Sequence, residues 1–276
     1  MESVISSDWL LNYLDDPNVV IIDCRFDLSR PSWGRQQYEA SHIPGAFYLD
    51  LNQDLSSPVQ KHGRRHPLPH PETLAQKLEN MGIHFSQTRV VAYDDSRFAF
   101  AARLWWLMRY FGHDQVAVLD GGWRAWKMAG YPVSSAIPSS KTGNFPPQLR
   151  NDWVVDIEEV KARQEDRNAV IIDSRDADRY RGEREPIDPV AGHIPGAVNF
   201  PWKTASDEQG NLYSPAQQRQ RWLNGDPAIG ENQEKIVYCG SGVTACVNLL
   251  SLHLAQLPQG KLYAGSWSDW CSYLEQ

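Results

Sequence analysis

Short runs of apolar residues alternate with stretches of helical period along the chain. Val90-Val91-Ala92-Tyr93 precedes the helical stretch from Ala99 to Phe111, and Val116-Ala117-Val118-Leu119 follows it. Runs that are apolar at every position and rich in β-branched residues predict strands buried on both faces. Their alternation with helices predicts βα units around parallel sheets, an α/β fold. Trp105 and Trp106, set among apolar neighbours, belong to the core of such a helix.

The pattern occurs twice, at a spacing of about 150 residues that marks duplicated domains rather than a solenoid. Val20-Ile21-Ile22-Asp23-Cys24-Arg25 matches Val170-Ile171-Ile172-Asp173-Ser174-Arg175. His42-Ile43-Pro44-Gly45-Ala46 recurs at His193-Ile194-Pro195-Gly196-Ala197, and Gly121-Gly122-Trp123 answers Gly265-Ser266-Trp267 in the same order. The Pro-, Ser- and Lys-rich stretch around Pro146-Pro147 separates the copies, giving an N-terminal domain over 1–137, a linker over 138–152 and a C-terminal domain over 153–276.

Composition narrows the classes of function. A hydrophobic content of 41% over 276 residues suffices for two cores, and a formal charge of -7 argues against a nucleic-acid partner. No apolar run approaches the roughly 20 residues that span a bilayer, and the N-terminus has no basic segment followed by an apolar one, so a cytoplasmic protein without membrane contact is expected. Four cysteines without Cys-x-x-Cys spacing give neither a disulfide framework nor a zinc site. With no Gly-rich nucleotide fingerprint either, no cofactor and no metal are expected.

The chemistry concentrates at Cys239. The strand Lys235-Ile236-Val237-Tyr238 runs into Cys239-Gly240-Ser241-Gly242-Val243-Thr244, and a helix is expected to begin near Val243. Two glycines let the intervening backbone fold tightly with its N–H groups turned inward, and these, with the positive end of the helix dipole, favour an anion at the sulfur. A cysteine serving only packing has no need of those glycines. Cys24, Cys246 and Cys271 lie in apolar or terminal contexts and read as packing residues. Aligning Tyr93 with Tyr238 sets Asp94 opposite Cys239, so only the C-terminal copy carries a thiol. Asp94 itself reads either as the mark of an inactive copy or as an ordinary helix cap.

These motifs resemble the tandem-domain sulfurtransferases, rhodanese and 3-mercaptopyruvate sulfurtransferase, over essentially the whole chain. The resemblance rests on the Cys239–Thr244 loop, the two His-Ile-Pro-Gly-Ala segments and Gly265-Ser266-Trp267. It implies two rhodanese-like domains, each a parallel five-stranded sheet flanked by helices, and a Cys239 that accepts a sulfane sulfur as a persulfide. Rhodaneses that prefer thiosulfate typically carry Cys-Arg-Lys-Gly-Val-Thr; mercaptopyruvate enzymes carry Cys-Gly-Ser-Gly-Val-Thr, the form found here. A loop without a cation must take its substrate charge from arginines elsewhere.

By the same resemblance Arg179 holds the donor's carboxylate or sulfonate, as a guanidinium can do in bidentate fashion. Arg184 is the candidate for the family's second arginine; the competing reading is a solvated, self-paired Arg/Glu segment. A Ser–His–Asp relay falls on Ser241, on His66 supplied by the N-terminal domain, and on Asn52 in place of the aspartate, with Asp50 two residues away. Trp33 and Phe100 are expected to wall the cleft, while His42 and His193 read as structural residues that tie loops. The chemistry implied is sulfur transfer from a small anionic donor, 3-mercaptopyruvate or alternatively thiosulfate, to cyanide or a thiol, a thioredoxin-like protein included. A persulfide carrier without turnover is the third reading. A Cys-x5-Arg phosphatase is excluded, because the sixth residue after Cys239 is Ala245.

Overall fold

The computed structural model describes residues 1–62 and 65–274. They form two compact units. The first comprises Met1–Ser57, Leu68–Arg150 and the short segment Glu208–Asn211; the second comprises Pro58–Pro67, Asn151–Asp207 and the chain from Leu212 onward. The first unit contains strands β1 (Val4–Ile5), β2 (Val19–Asp23), β3 (Phe47–Tyr48), β4 (Arg89–Tyr93) and β5 (Val116–Leu119). Its helices are α1 (Ser7–Asn12), α2 (Trp33–Ala40), α3 (Pro71–Asn80), α4 (Ala101–Tyr110) and α5 (Gly122–Met128). The second unit repeats the series with β6 (Val154–Val155), β7 (Ala169–Asp173), β8 (Val198–Asn199), β9 (Glu234–Tyr238) and β10 (Lys261–Tyr263). With them go α6 (Ile157–Arg163), α7 (Ala177–Tyr180), α8 (Pro215–Gly225), α9 (Ala245–Leu254) and α10 (Ser266–Cys271).

Both sheets are parallel and five-stranded, in the corresponding orders β1-β5-β4-β2-β3 and β6-β10-β9-β7-β8. The apolar runs become the central strands because helices cover both faces and nothing along them meets water. Trp105 and Trp106 are fully buried on α4. The Pro- and Ser-rich stretch read as a linker is held against the first unit as far as Arg150, because Phe145 buries its ring against Phe85 and His113. No helix among the described residues is long and apolar enough to cross a membrane.

The three anchors of the repeat meet in space in each unit, which explains why they are the parts that match. In the second unit the buried Arg175 guanidinium binds Asp173 at 2.6 Å and donates to the Gly192 carbonyl at 2.6 Å. It also lies 4.9 Å from the centre of the Trp267 ring. The Tyr238 hydroxyl accepts the Ile194 N–H at 3.1 Å, tying the end of β9 to the His-Ile-Pro-Gly turn. His193 stacks on Tyr180 at 3.9 Å, its Nδ1 lies 2.8 Å from the Tyr180 carbonyl, and the Tyr180 hydroxyl donates to the Ala197 carbonyl at 2.6 Å. The first unit repeats this with Asp23, Arg25, Tyr93, Ile43, Tyr38, His42 and Trp123. Both histidines are thus engaged in loop closure.

Removing one partner of a buried ion pair leaves an uncompensated charge, which typically costs about 3–5 kcal/mol. Asp173→Ala is therefore expected to destabilise the second unit by about that amount. Urea unfolding followed by circular dichroism checks it, and a loss under about 1 kcal/mol would contradict the assignment of Asp173 as the anchor.

Candidate functional site

Strand β9 delivers Tyr238 to the sheet edge and Cys239 to the start of a six-residue loop, Cys239–Thr244, that ends at α9. The helix begins at Ala245, two residues later than its expected start near Val243, because Gly242 turns left-handed at φ +74°. A Cβ on Gly242 would lie 2.4 Å from the Ala264 carbonyl oxygen, so the position excludes any side chain. The loop is fastened to α10: the Cys239 and Gly240 carbonyls accept the N–H groups of Trp267 (3.0 Å) and Ser268 (2.9 Å). The Cys239 N–H donates to Ser266 Oγ at 3.1 Å, and that hydroxyl donates to the Tyr263 carbonyl at 2.9 Å. Ser266 adopts φ +57°, a conformation costly for a residue with a Cβ, and these two bonds hold it there.

Cys239 is 2% exposed. The N–H groups of Gly240, Ser241, Val243 and Thr244 donate to no acceptor among the described residues. In the corresponding loop of the first unit the counterparts of Ser241 and Val243, namely Ser96 and Phe98, donate to the residue aligned with Cys239. There the buried Asp94 carboxylate accepts N–H groups from Ser96 (2.8 Å), Phe98 (3.1 Å), Phe100 (2.9 Å) and Ala101 (2.9 Å). Its carbonyl accepts the Trp123 N–H at 2.8 Å, as Cys239 does from Trp267. Burial raises the Asp94 pKa, and the four amides oppose that rise. Asp94 thus caps a helix and, in the same act, fills an anion cradle with its own side chain.

His66 and Ser241, remote in sequence, are brought together: His66 Nδ1 lies 2.7 Å from Ser241 Oγ, with both residues buried. The expectation that the N-terminal domain supplies His66 needs correction. Its segment, Pro58–Pro67, precedes α3 in sequence but packs within the second unit. Asn52 belongs to the first unit and is exposed, and Asp50 there closes its own turn, accepting the N–H groups of Asn52 (2.8 Å) and Gln53 (3.0 Å).

Arg179, on α7, is mostly buried and paired with Glu185 at 2.6 Å and Asp188 at 3.3 Å. A methyl group built on Gly240 would lie 3.6 Å from Arg179 Nη1, and still nearer, at 2.8 Å, to Arg65 Nη2. Arg184 is not the second cation at this place. Its half-exposed guanidinium is captured by Asp178 at 2.5 Å, with Asp176 3.9 Å away, which matches the self-paired reading of that segment. Burial raises the Asp188 pKa against the opposing pull of Arg65 and Arg179. Burial also pushes Glu185 up, but its bonds from Arg179 and from the Asp188 and Ile187 amides outweigh this and leave its pKa lowered.

Trp33 and Phe100 share one open pocket of the first unit, about 420 Å³ in volume, together with Phe26, Asp95 and Ser96. Sequence reasoning missed Arg65, Asp188 and Ser266. The available signals were the Arg64-Arg65 doublet beside His66 and the serine that replaces Gly122 in the second Gly-x-Trp anchor.

Comparison with known proteins accords with this geometry. The model of the rhodanese-like domain matches residues 6–129 and again 156–273. A probable 3-mercaptopyruvate sulfurtransferase of Pseudomonas aeruginosa is 43% identical over 272 residues, covering 97% of this chain and 94% of that one. A putative thiosulfate sulfurtransferase, SseB of Mycobacterium tuberculosis, is 36% identical over 93% of this chain and 89% of its own. The crystal structure of SseA from Escherichia coli, a 3-mercaptopyruvate sulfotransferase of rhodanese fold, superposes with a TM-score of 0.82 at 32% identity, covering 97% of this chain and 100% of that one. With two copies of the domain, each built on the same five-stranded sheet, the chain belongs to the rhodanese-like domain family.

Proposed function

We propose that the chain is a sulfurtransferase that takes sulfur from 3-mercaptopyruvate onto Cys239 and passes it to a thiol or to cyanide. The observation that carries this reading is the Cys239 loop itself, with open amides of Gly240, Ser241, Val243 and Thr244, the His66–Ser241 pair at 2.7 Å, and Arg179 beside Gly240. Support for the donor comes from the uncharged Gly240-Ser241 pair and from the names of the relatives in Pseudomonas aeruginosa and Escherichia coli.

In the first half-reaction the Cys239 thiolate attacks the thiol sulfur of mercaptopyruvate, whose carboxylate is held by Arg179. An S–S bond forms, the donor's C–S bond breaks, and the electron pair passes to the carbon as a pyruvate enolate. The proton carried on the transferred sulfur moves through Ser241 and His66 to that enolate, leaving pyruvate and a Cys239 persulfide anion. The loop amides from Gly240 to Thr244 stabilise that anion, as backbone donors do in oxyanion holes. In the second half-reaction cyanide or a thiolate attacks the terminal sulfur, and the S–S electron pair returns to Cys239. A thioredoxin-like protein as acceptor and a reducing, cytoplasmic setting complete the proposed reading.

Thiosulfate as the preferred donor is the second reading, favoured by the name of the Mycobacterium tuberculosis relative. Steady-state comparison is expected to give the larger kcat/KM for mercaptopyruvate; the reverse ratio would reassign the donor. Mass spectrometry after incubation with mercaptopyruvate is expected to find one added sulfur on the Cys239 peptide and none in Cys239→Ser. Labelling elsewhere, or nowhere, would reject the mechanism, and single labelling without turnover on cyanide would make the chain a carrier. His66→Ala is expected to lower kcat about 100-fold with little change in KM, read by pyruvate release. An unchanged kcat would remove His66 from the proton path.

A further inference from the structure

The first unit keeps a polar pocket of about 210 Å³ at the place that corresponds to the thiol loop of the second. It is lined by Asp94, Asp95, Arg97 and Phe98 from the loop after β4 and by Gly121-Gly122, the counterparts of the Cys239 loop and of Gly265-Ser266. The remaining wall, with Glu208, belongs to the segment Glu208–Asn211, which is distant in sequence yet packs within this unit. Arg124 Nη1 donates to the Gln209 carbonyl at 3.4 Å, and a Cβ on Gly121 would lie 2.8 Å from Asn211 Oδ1. Arg97 and Phe98 are both left-handed, at φ +57° and +71°, a costly conformation for residues with a Cβ and one that collects at ligand sites. The second unit makes the equivalent turn with a glycine, Gly242.

We propose that this pocket is a second binding site and takes a small zwitterion of the α-amino-acid type, its ammonium group on Asp95 and Glu208 and its carboxylate on Arg124 and Arg97. The charges carry the inference. Asp94 already fills the cradle of loop amides with its own carboxylate, so an anion finds no room there. The other ionic groups of the lining are two carboxylates and two guanidinium groups. Among the described residues Asp95, Glu208 and Arg124 form no ion pair although they line one cavity; Asp95 accepts from Ser96 Oγ at 3.4 Å, and Arg124 has the Gln209 carbonyl. A lining with equal numbers of both signs gives little net attraction to a simple anion or cation, whereas a dipolar ligand answers both signs at once. Asp95 is exposed at its surface, yet desolvation by the protein around it and, next, the Asp94 charge push its carboxyl up to about 6 against the pull of Arg25. An ammonium group beside it relieves that cost. The volume sets the size of the ligand, since it lies below the roughly 300 Å³ at which pockets for drug-sized molecules begin.

The test is calorimetric titration of the full-length protein with L-alanine, L-serine and L-glutamine, none of which has a thiol to act as a sulfur acceptor. Propionate and ethylammonium, which each keep one of the two charges of alanine, are titrated alongside. At least one amino acid is expected to bind about tenfold or more tightly than either single-charge probe. Arg124→Gln and Asp95→Asn are each expected to weaken that binding about 10- to 100-fold, as loss of a charge-assisted hydrogen bond gives. Arg181→Gln, an exposed control in the second unit, and Arg179→Gln, which removes a cation beside Cys239, are expected to leave it unchanged. No saturable binding of any of the three amino acids up to about 10 mM would overturn the proposal, and so would propionate binding as tightly as alanine. Binding that is lost in Arg179→Gln but kept in Arg124→Gln would place the ligand at the thiol loop and overturn it equally. None of these titrations involves turnover, so their outcome is separate from that of the sulfur-transfer assays.

Discussion

The ion pair between Asp173 and Arg175 is the constraint on which the second unit is organised. Both side chains are at most 1% exposed, and a charge so deeply buried is tolerable only when every hydrogen-bonding position is used. Arg175 therefore reaches the Gly192 carbonyl, the Glu185 carboxylate and the face of Trp267 as well as Asp173. Through those partners it ties the end of β7 to the turn before the His-Ile-Pro-Gly motif and to the first residues of α10. α10 in turn binds the Cys239 and Gly240 carbonyls. The loop that carries the thiol is thus fixed from behind by a pair that touches no part of it.

Comparing the two loops separates what the backbone does from what the side chain does. In both, the strand ends on a tyrosine, the next carbonyl accepts the N–H of a tryptophan, and the loop runs on to a buried helix. In the first unit the residue at the turn brings its own carboxylate to four amides, and the electrostatic demand of the loop is met internally. A thiol at that place brings no charge until it ionises. Under the proposed chemistry the Ser241 and Val243 amides, aligned with Ser96 and Phe98, are the donors that favour the thiolate and its sulfur-loaded form. Asp94 is accordingly a physical control for the proposed chemistry: it shows a loop of this design ligating an anion.

The duplication, the parallel sheets and the position of the thiol loop were legible in the sequence, because each is written in consecutive residues or in a repeat of fixed order. Asp23-Cys24-Arg25 and Asp173-Ser174-Arg175 could be matched by eye, although only the structure shows that their ion pairs gather the other two anchors around them. The cation nearest Gly240 was not legible. Arg65 and Asp188 are 123 residues apart, and no periodicity links a proline-rich segment to a loop in the other half of the sequence. Arg184 was the natural choice from local pattern, but Asp178, six positions away and on the same short helix as Arg179, offers it a nearer partner. The start of α9 was misplaced for a different reason: the glycine that makes the loop tight also delays the helix.

The charges around the thiol loop form one chain: Asp173 with Arg175, Arg175 with Glu185, Glu185 with Arg179, Arg179 with Asp188, and Asp188 with Arg65. Its three cations face three carboxylates, so the array carries no net charge of its own. Such an array cannot act as a strong electrostatic sink, and this bears on selectivity. Under the proposed function, a donor anion held by Arg179 shares a guanidinium already paired with Glu185 and Asp188 rather than meeting an unpaired cation. A monoanionic, planar carboxylate resembles the Asp188 group already there. A compact dianion brings more charge than the neutral array offsets, and would need the cations that the Cys-Arg-Lys form of the loop supplies. With Gly240 and Ser241 in those positions the loop adds no cation, so the proposed preference for a monoanionic donor accords with the neutral charge array beside it.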